Sequence, residues 1–96
     1  MEVYNQDTAR EPLSKLPGWQ FDNQGIIKTF TFPDFIEAMG FMVKAAMFAE
    51  KADHHPEWFN VYNRVEVRLS THDAGGLTQK DFDLAAQFEA CFSSSQ

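Results

Sequence analysis

Cysteine is nearly absent. One thiol, Cys91, stands in 96 residues, so no disulfide can form within the chain, and a lone thiol suits a reducing compartment. No histidine or other base lies near it in sequence, and it reads as a buried helix residue rather than a reactive one. No apolar run approaches the roughly 20 residues that a bilayer-crossing helix needs. The N-terminus, Met1-Glu2-Val3-Tyr4-Asn5-Gln6-Asp7, lacks the basic start and apolar block of a signal peptide, so a cytoplasmic location is expected. Positive charge is also scarce. Eight Lys and Arg are set against fourteen Asp and Glu, for a net charge of −6, and the basic residues are scattered, which argues against a nucleic-acid partner. Repeats are missing, and the only biased segment is Ser93-Ser94-Ser95, expected to be a frayed tail.

What remains is small and rich in aromatics. The length fits one domain over residues 1–96, near the lower end of what a single core supports. Ten phenylalanines and two tryptophans fill such a core and leave aromatic surface for an interface, so self-association is expected.

Thr8 to Leu16, with Leu13 and Leu16 at a helical interval, predicts a short helix ending at Pro17-Gly18, with Pro12 in its first turn. Trp19 to Asp22 and Ile26 to Thr31 flank an Asn23-Gln24-Gly25 turn and predict a hairpin. Asp34 caps the main helix, with Glu37 completing a capping-box pattern. Phe35, Met39, Met42, Val43, Ala46 and Ala49 recur at three- and four-residue steps and predict the buried stripe. Gly40 weakens this helix unless something packs against it. The helix is expected to end near Lys51 or Ala52, before Pro56. Trp58 to Tyr62 predicts a strand, Asn63 a turn, and Arg64 to Thr71 an alternating strand with Val65, Val67 and Leu69 inward. His72 to Gly76 is expected to be a loop, and Thr78, with Asp81 three residues on, opens a last helix. The predicted fold is an α+β two-layer sandwich: a four-stranded antiparallel sheet with three helices on one face, in the order α-β-β-α-β-β-α.

All three histidines, His54, His55 and His72, fall within nineteen residues. Imidazole titrates at roughly pH 6.5 when unperturbed, so a trio can both give and take protons near neutrality. His54 and His55 leave the main helix and His72 follows the last strand, and an antiparallel pairing returns that strand toward Asp53–Pro56. Glu50, four residues before His54, is expected beside it on the last helical turn, either orienting the ring or forming an ordinary surface pair. Zinc is a rival, with Glu50 or Asp73 as the fourth ligand, although adjacent histidines diverge and no metalloprotease spacing occurs. Ser70 and Thr71 beside His72 lack a nucleophile elbow. A structural role suits any one histidine alone better than all three together.

The run Glu50-Lys51-Ala52-Asp53-His54-His55-Pro56-Glu57-Trp58-Phe59-Asn60-Val61-Tyr62-Asn63, followed by Leu69-Ser70-Thr71-His72-Asp73 and Gly76-Leu77-Thr78, resembles the pterin-4a-carbinolamine dehydratases. The resemblance covers Trp19 through the last helix. It implies the same sandwich, assembled as homodimers through sheets and as homotetramers through helices. The implied reaction removes water from a 4a-hydroxytetrahydropterin, recycling the pterin that aromatic amino-acid hydroxylases use. Neither a metal nor an organic cofactor is implied. His54 and His72 are implied as proton donors on opposite sides of the pterin, and His55 chiefly as a binding contact. The substrate-contacting segments match Asp53, Ser70, Thr71 and Asp73, with Trp19 and Pro56 as walls and Glu50 and Asp81 orienting the histidines. Asp73 stands where some relatives carry a longer Glu. Other relatives act as dimerisation cofactors of a transcription factor or as assembly factors, which leaves a protein-binding role as the alternative.

Overall fold

The computed structural model describes residues 1–94. After a short N-terminal segment come α1 (Arg10–Leu13), β1 (Gln20–Asp22), β2 (Gly25–Thr31), α2 (Phe35–Ala52), β3 (Glu57–Val61), β4 (Arg64–Leu69) and α3 (Gln79–Ser94). The four strands form one antiparallel sheet in the order β1-β2-β4-β3. The expected α+β class and element order are therefore observed. Helices α2 and α3 pack on each other, α2 against β4 and α3 against β2.

Both hairpins follow from local chemistry. In the first, Asn23 and Gln24 both have positive φ, 43° and 68°, the backbone that lets a two-residue loop match the strand twist. Arg68 reaches across from β4 and donates to the carbonyl oxygens of Asp22 and Asn23, and Ser70 Oγ donates to that of Gln24. In the second, Asn63 Nδ2 donates to the Phe32 carbonyl at 2.8 Å, and the Phe32 N–H donates to the Asn63 carbonyl at 2.8 Å. The β3–β4 turn is thereby tied to the start of the α2 connection.

The register sets Ile26 opposite Leu69 and Phe30 opposite Val65, so Ile26, Phe30, Val65, Val67 and Leu69 share the buried face. Phe30, Phe32, Phe41, Phe88 and Phe92 meet there, with ring centroids 4.7–6.4 Å apart, at separations that favour tilted and edge-on packing. Arg64, Glu66 and Arg68 lie on the outer face with Phe59 and Ile27.

The buried stripe of α2 differs from the expected one. Ala38, Phe41, Ala45 and Ala49 face the core, Met42 is half-buried, and Phe35, Met39, Val43 and Ala46 are exposed. The true stripe lies roughly a quarter turn from the predicted centre. Alanines fit the narrow gap over the sheet beside Phe41, and the bulkier side chains turn outward.

Smaller corrections concern the ends. Helix α1 is one turn, shorter than Thr8 to Leu16, because Asn5 and Thr8 exchange side-chain hydrogen bonds before it and Pro17 follows. Strand β4 stops at Leu69; beyond it Thr71 forms an isolated bridge to Gly76 around a 3-10 turn, His72–Ala74, in place of a loop. Ser93 and Ser94 belong to α3, with Ser94 Oγ donating to the Cys91 carbonyl, while Ser95 lies outside the described residues.

Candidate active site

The helix-to-strand junction is built by the end of α2. Asp53 takes left-handed backbone, φ 51° and ψ 43°; its N–H bonds the Glu50 carbonyl, and the His54 N–H bonds the Ala49 carbonyl at 3.0 Å. This is a Schellman closure with an aspartate where glycine is usual. It reverses the chain so that His54 swings in toward α3 and His55 swings out.

His54 Nε2 lies 2.6 Å from Asp81 Oδ1, with the His54 side chain only 10% exposed and that of Asp81 fully buried. Asp81 Oδ2 accepts two further bonds at 2.9 Å, from the Thr71 hydroxyl and the Thr78 N–H. The Thr71 and Thr78 hydroxyl oxygens are 2.6 Å apart. A carboxylate only accepts, so with Asp81 ionised Nε2 of His54 carries the proton. Nδ1 is then the ring nitrogen left for a ligand. Asp81 sits in the first turn of α3, where the helix dipole favours negative charge.

His55 takes the other direction. Its Nε2 meets Glu50 Oε1 at 2.8 Å with both side chains largely exposed. Glu50 thus pairs with His55 and not, as its four-residue spacing suggested, with His54, because the left-handed Asp53 ends the helical register before His54. His72 opens the 3-10 turn directly after Thr71 and is exposed.

A cleft of about 290 Å³ lies between the end of α2 and the start of α3, lined by Phe48, Lys51, Ala52, His54, Lys80, Asp83, Leu84 and Gln87. His54 is its only histidine. Of the three imidazoles, His54 lines this cleft, while His55 turns outward to Glu50 and His72 is exposed at the end of the last strand. Asp53 and Asp73 are exposed and Pro56 is half-buried. The Ser70 hydroxyl is engaged by the first hairpin turn. Trp19 does not line this cleft. It is 5% exposed, its ring edge-on to Phe30 and its N–H donating to Glu89 Oε2 at 2.8 Å. A larger hollow, about 590 Å³, lies on the sheet's outer side and contains none of the histidines. Among the described residues no group of three or more His, Cys, Asp or Glu is arranged to hold a metal ion.

The main residue that sequence reasoning missed is Thr78, read as a helix cap and found inside the Asp81 network. The signal was its three-residue spacing to Asp81. Lys80, Leu84 and Gln87 carried a weaker signal, recurring at four- and three-residue steps along one side of α3, and Lys51 lies three residues before His54.

The profile of the family described as pterin 4 alpha carbinolamine dehydratase matches residues 2–91. The chain belongs to that family. A relative from Rhizobium johnstonii, provisionally named pterin-4-alpha-carbinolamine dehydratase, is 54% identical over 91 residues, covering 93% of this chain and 90% of its own. One from Rhizobium etli with the same provisional name is 60% identical over 90 residues, covering 92% and 89%. A crystal structure from Brucella melitensis, described as a transcriptional coactivator/pterin dehydratase, superposes with a TM-score of 0.89 at 44% identity, covering 94% of this chain and 98% of that one. The helix-to-strand junction and the Asp81 network both lie inside the matched residues 2–91.

Proposed function

We propose that this chain dehydrates a 4a-hydroxytetrahydropterin, with His54 and His72 moving the protons and His55 holding the substrate. Hydroxide leaves poorly, so an acid must protonate the 4a-oxygen as the carbon–oxygen bond breaks. A base must take the proton from the adjacent ring nitrogen as the carbon–nitrogen double bond forms. The products are water and a quinonoid dihydropterin, and each positioned acid or base accounts for roughly 10²–10⁴-fold in rate.

The observation that carries this reading is the contact of His54 Nε2 with a fully buried carboxylate. Such a partner holds the ring in one orientation and one tautomer, leaving Nδ1 to exchange protons. His72, one residue beyond Thr71 of the same network, serves the second proton. The Asp53 and Asp73 segments contribute contacts to the pterin edge. Family membership supports the substrate class. The recycling role follows from the product, which a reductase returns to the tetrahydropterin that an aromatic hydroxylase consumes. The buried single thiol fits a cytoplasmic setting.

The direct test is an assay in which a 4a-hydroxypterin, made in place by a hydroxylase, decays with and without the protein. Accelerated decay supports the reading, and an unchanged rate refutes it.

A second reading, protein binding, is favoured by one feature. Ile36, Met39, Val43 and Met47 form an apolar stripe on the outside of α2, with Ile36 78% and Met47 67% exposed. Exposed stripes of this kind mark interfaces. We infer that it joins copies of this chain, as homodimer or homotetramer, and the coactivator description of the Brucella relative makes a protein partner the competing occupant.

A further inference from the structure

Thr78 is fully buried, and its hydroxyl oxygen lies 2.6 Å from that of Thr71. The direction of that bond follows from its surroundings. Asp81 Oδ2, as a carboxylate oxygen, accepts both the Thr78 N–H and the Thr71 hydroxyl, each at 2.9 Å. Thr71 has one hydroxyl proton and donates it to Asp81. Its oxygen must therefore accept from Thr78. The hydroxyls run one way, Thr78 to Thr71 to Asp81, and the series ends on the oxygen that faces His54 at 2.6 Å. Thr71 is 4% exposed and Asp81 is fully buried, so water does not compete for these groups.

We propose that Thr78 is a positioning residue for proton transfer by His54. Its hydroxyl orients Thr71, Thr71 fixes the Asp81 carboxylate, and Asp81 keeps the imidazole proton on Nε2, so that Nδ1 always faces the ligand. The kinetic part of this proposal rests on the dehydratase reading; the structural part does not. A residue that merely opens a helix would act differently. Its backbone N–H already satisfies Asp81, and loss of the hydroxyl would then lower stability without touching the ring of His54. If the hydroxyl is the first member of the series, its loss frees the Thr71 rotor, loosens the carboxylate and lets the imidazole sample both tautomers.

The test compares Thr78→Val, Thr78→Ala and Thr78→Ser with the unaltered protein. Imidazole nitrogen NMR of the ligand-free protein reads the His54 tautomer, and dehydration assays read kcat and KM. Thr78→Ser is expected to keep the Nε2–H tautomer and near-normal kcat. Thr78→Val and Thr78→Ala are expected to mix tautomers and lower kcat about tenfold, with KM little changed, as the loss of one buried hydrogen bond implies. Should the valine variant not fold, the alanine variant carries the comparison. A truncation that keeps the Nε2–H tautomer, or a serine variant that behaves like valine, overturns the proposal. So does a change in KM alone. If even the unaltered protein fails to dehydrate pterins, the dehydratase reading falls and the tautomer result alone decides the role of Thr78.

Discussion

His54 and His55 are neighbours in sequence, yet one meets a buried aspartate and the other an exposed glutamate. The difference changes what each can do. The exposed His55–Glu50 pair is surrounded by water, which screens it and leaves it little energetic weight. The His54–Asp81 contact is shielded, and deleting its carboxylate strands the Thr71 hydroxyl, the Thr78 N–H and the His54 ring. Asp81→Ala is expected to destabilise the fold by about 1–3 kcal/mol, the range for leaving buried donors unsatisfied. Urea unfolding checks this, and a change within about 0.5 kcal/mol, as at an ordinary surface site, would count against a working network. The resemblance named Asp81 among the residues that orient the histidines, but helical spacing placed Glu50 beside His54, and that pairing failed because the left-handed Asp53 ends the helical register one residue earlier. Cys91 shows the opposite case, a residue whose burial was legible. Burial pushes its thiol above the ordinary 9.0, with Lys44 opposing. The folded state therefore holds the thiol proton more tightly than the unfolded chain does. That contribution is complete below pH 9.0 and is lost as pH rises through the raised value. In Cys91→Ala the alkaline decline of stability is expected to be shallower, and an unaltered slope would contradict the assignment.

At the scale of elements, the two hairpins and the strand alternation were legible because turn residues and period-two patterning act locally. Asn23-Gln24 closes one hairpin, and Val65, Val67 and Leu69 mark the inner face of β4. The phase of α2 was not legible. Large apolar residues surround the helix on several sides, and hydrophobicity alone favours Met39 and Val43 over Ala38 and Ala45. The core selects by volume, which depends on what lies opposite, here the sheet and Phe41. Gly40 falls on the outward stripe, between Met39 and Val43, and a Cβ built there meets nothing within 4 Å. Gly40→Ala is therefore expected to stabilise α2 by about 0.5–1 kcal/mol through helix propensity. Thermal unfolding measures it, and destabilisation would reveal another helix packed closely against Gly40.

Among the described residues, exposed apolar surface stands beside one enclosed network: the α2 stripe, and the sheet's outer side with Phe59 and Val61 exposed. A chain of 96 residues with that much exposed apolar surface is expected to self-associate. Replacing Ile36 and Met47 together by glutamate, at opposite ends of the stripe, is expected to lower the mass found by sedimentation equilibrium; an unchanged mass would exclude α2 from the interface. These substitutions lie outside the Asp81 network, so they separate assembly from chemistry. The measurement that bears most directly on the chemistry is the dehydration rate of a 4a-hydroxypterin by His54→Ala beside the unaltered protein. Loss of a positioned acid or base predicts a fall of roughly 10²-fold or more, with the fold intact. A rate within about twofold of the unaltered protein, where a loss of that size is the general expectation for such a residue, would contradict the role given to His54 and the network that holds it.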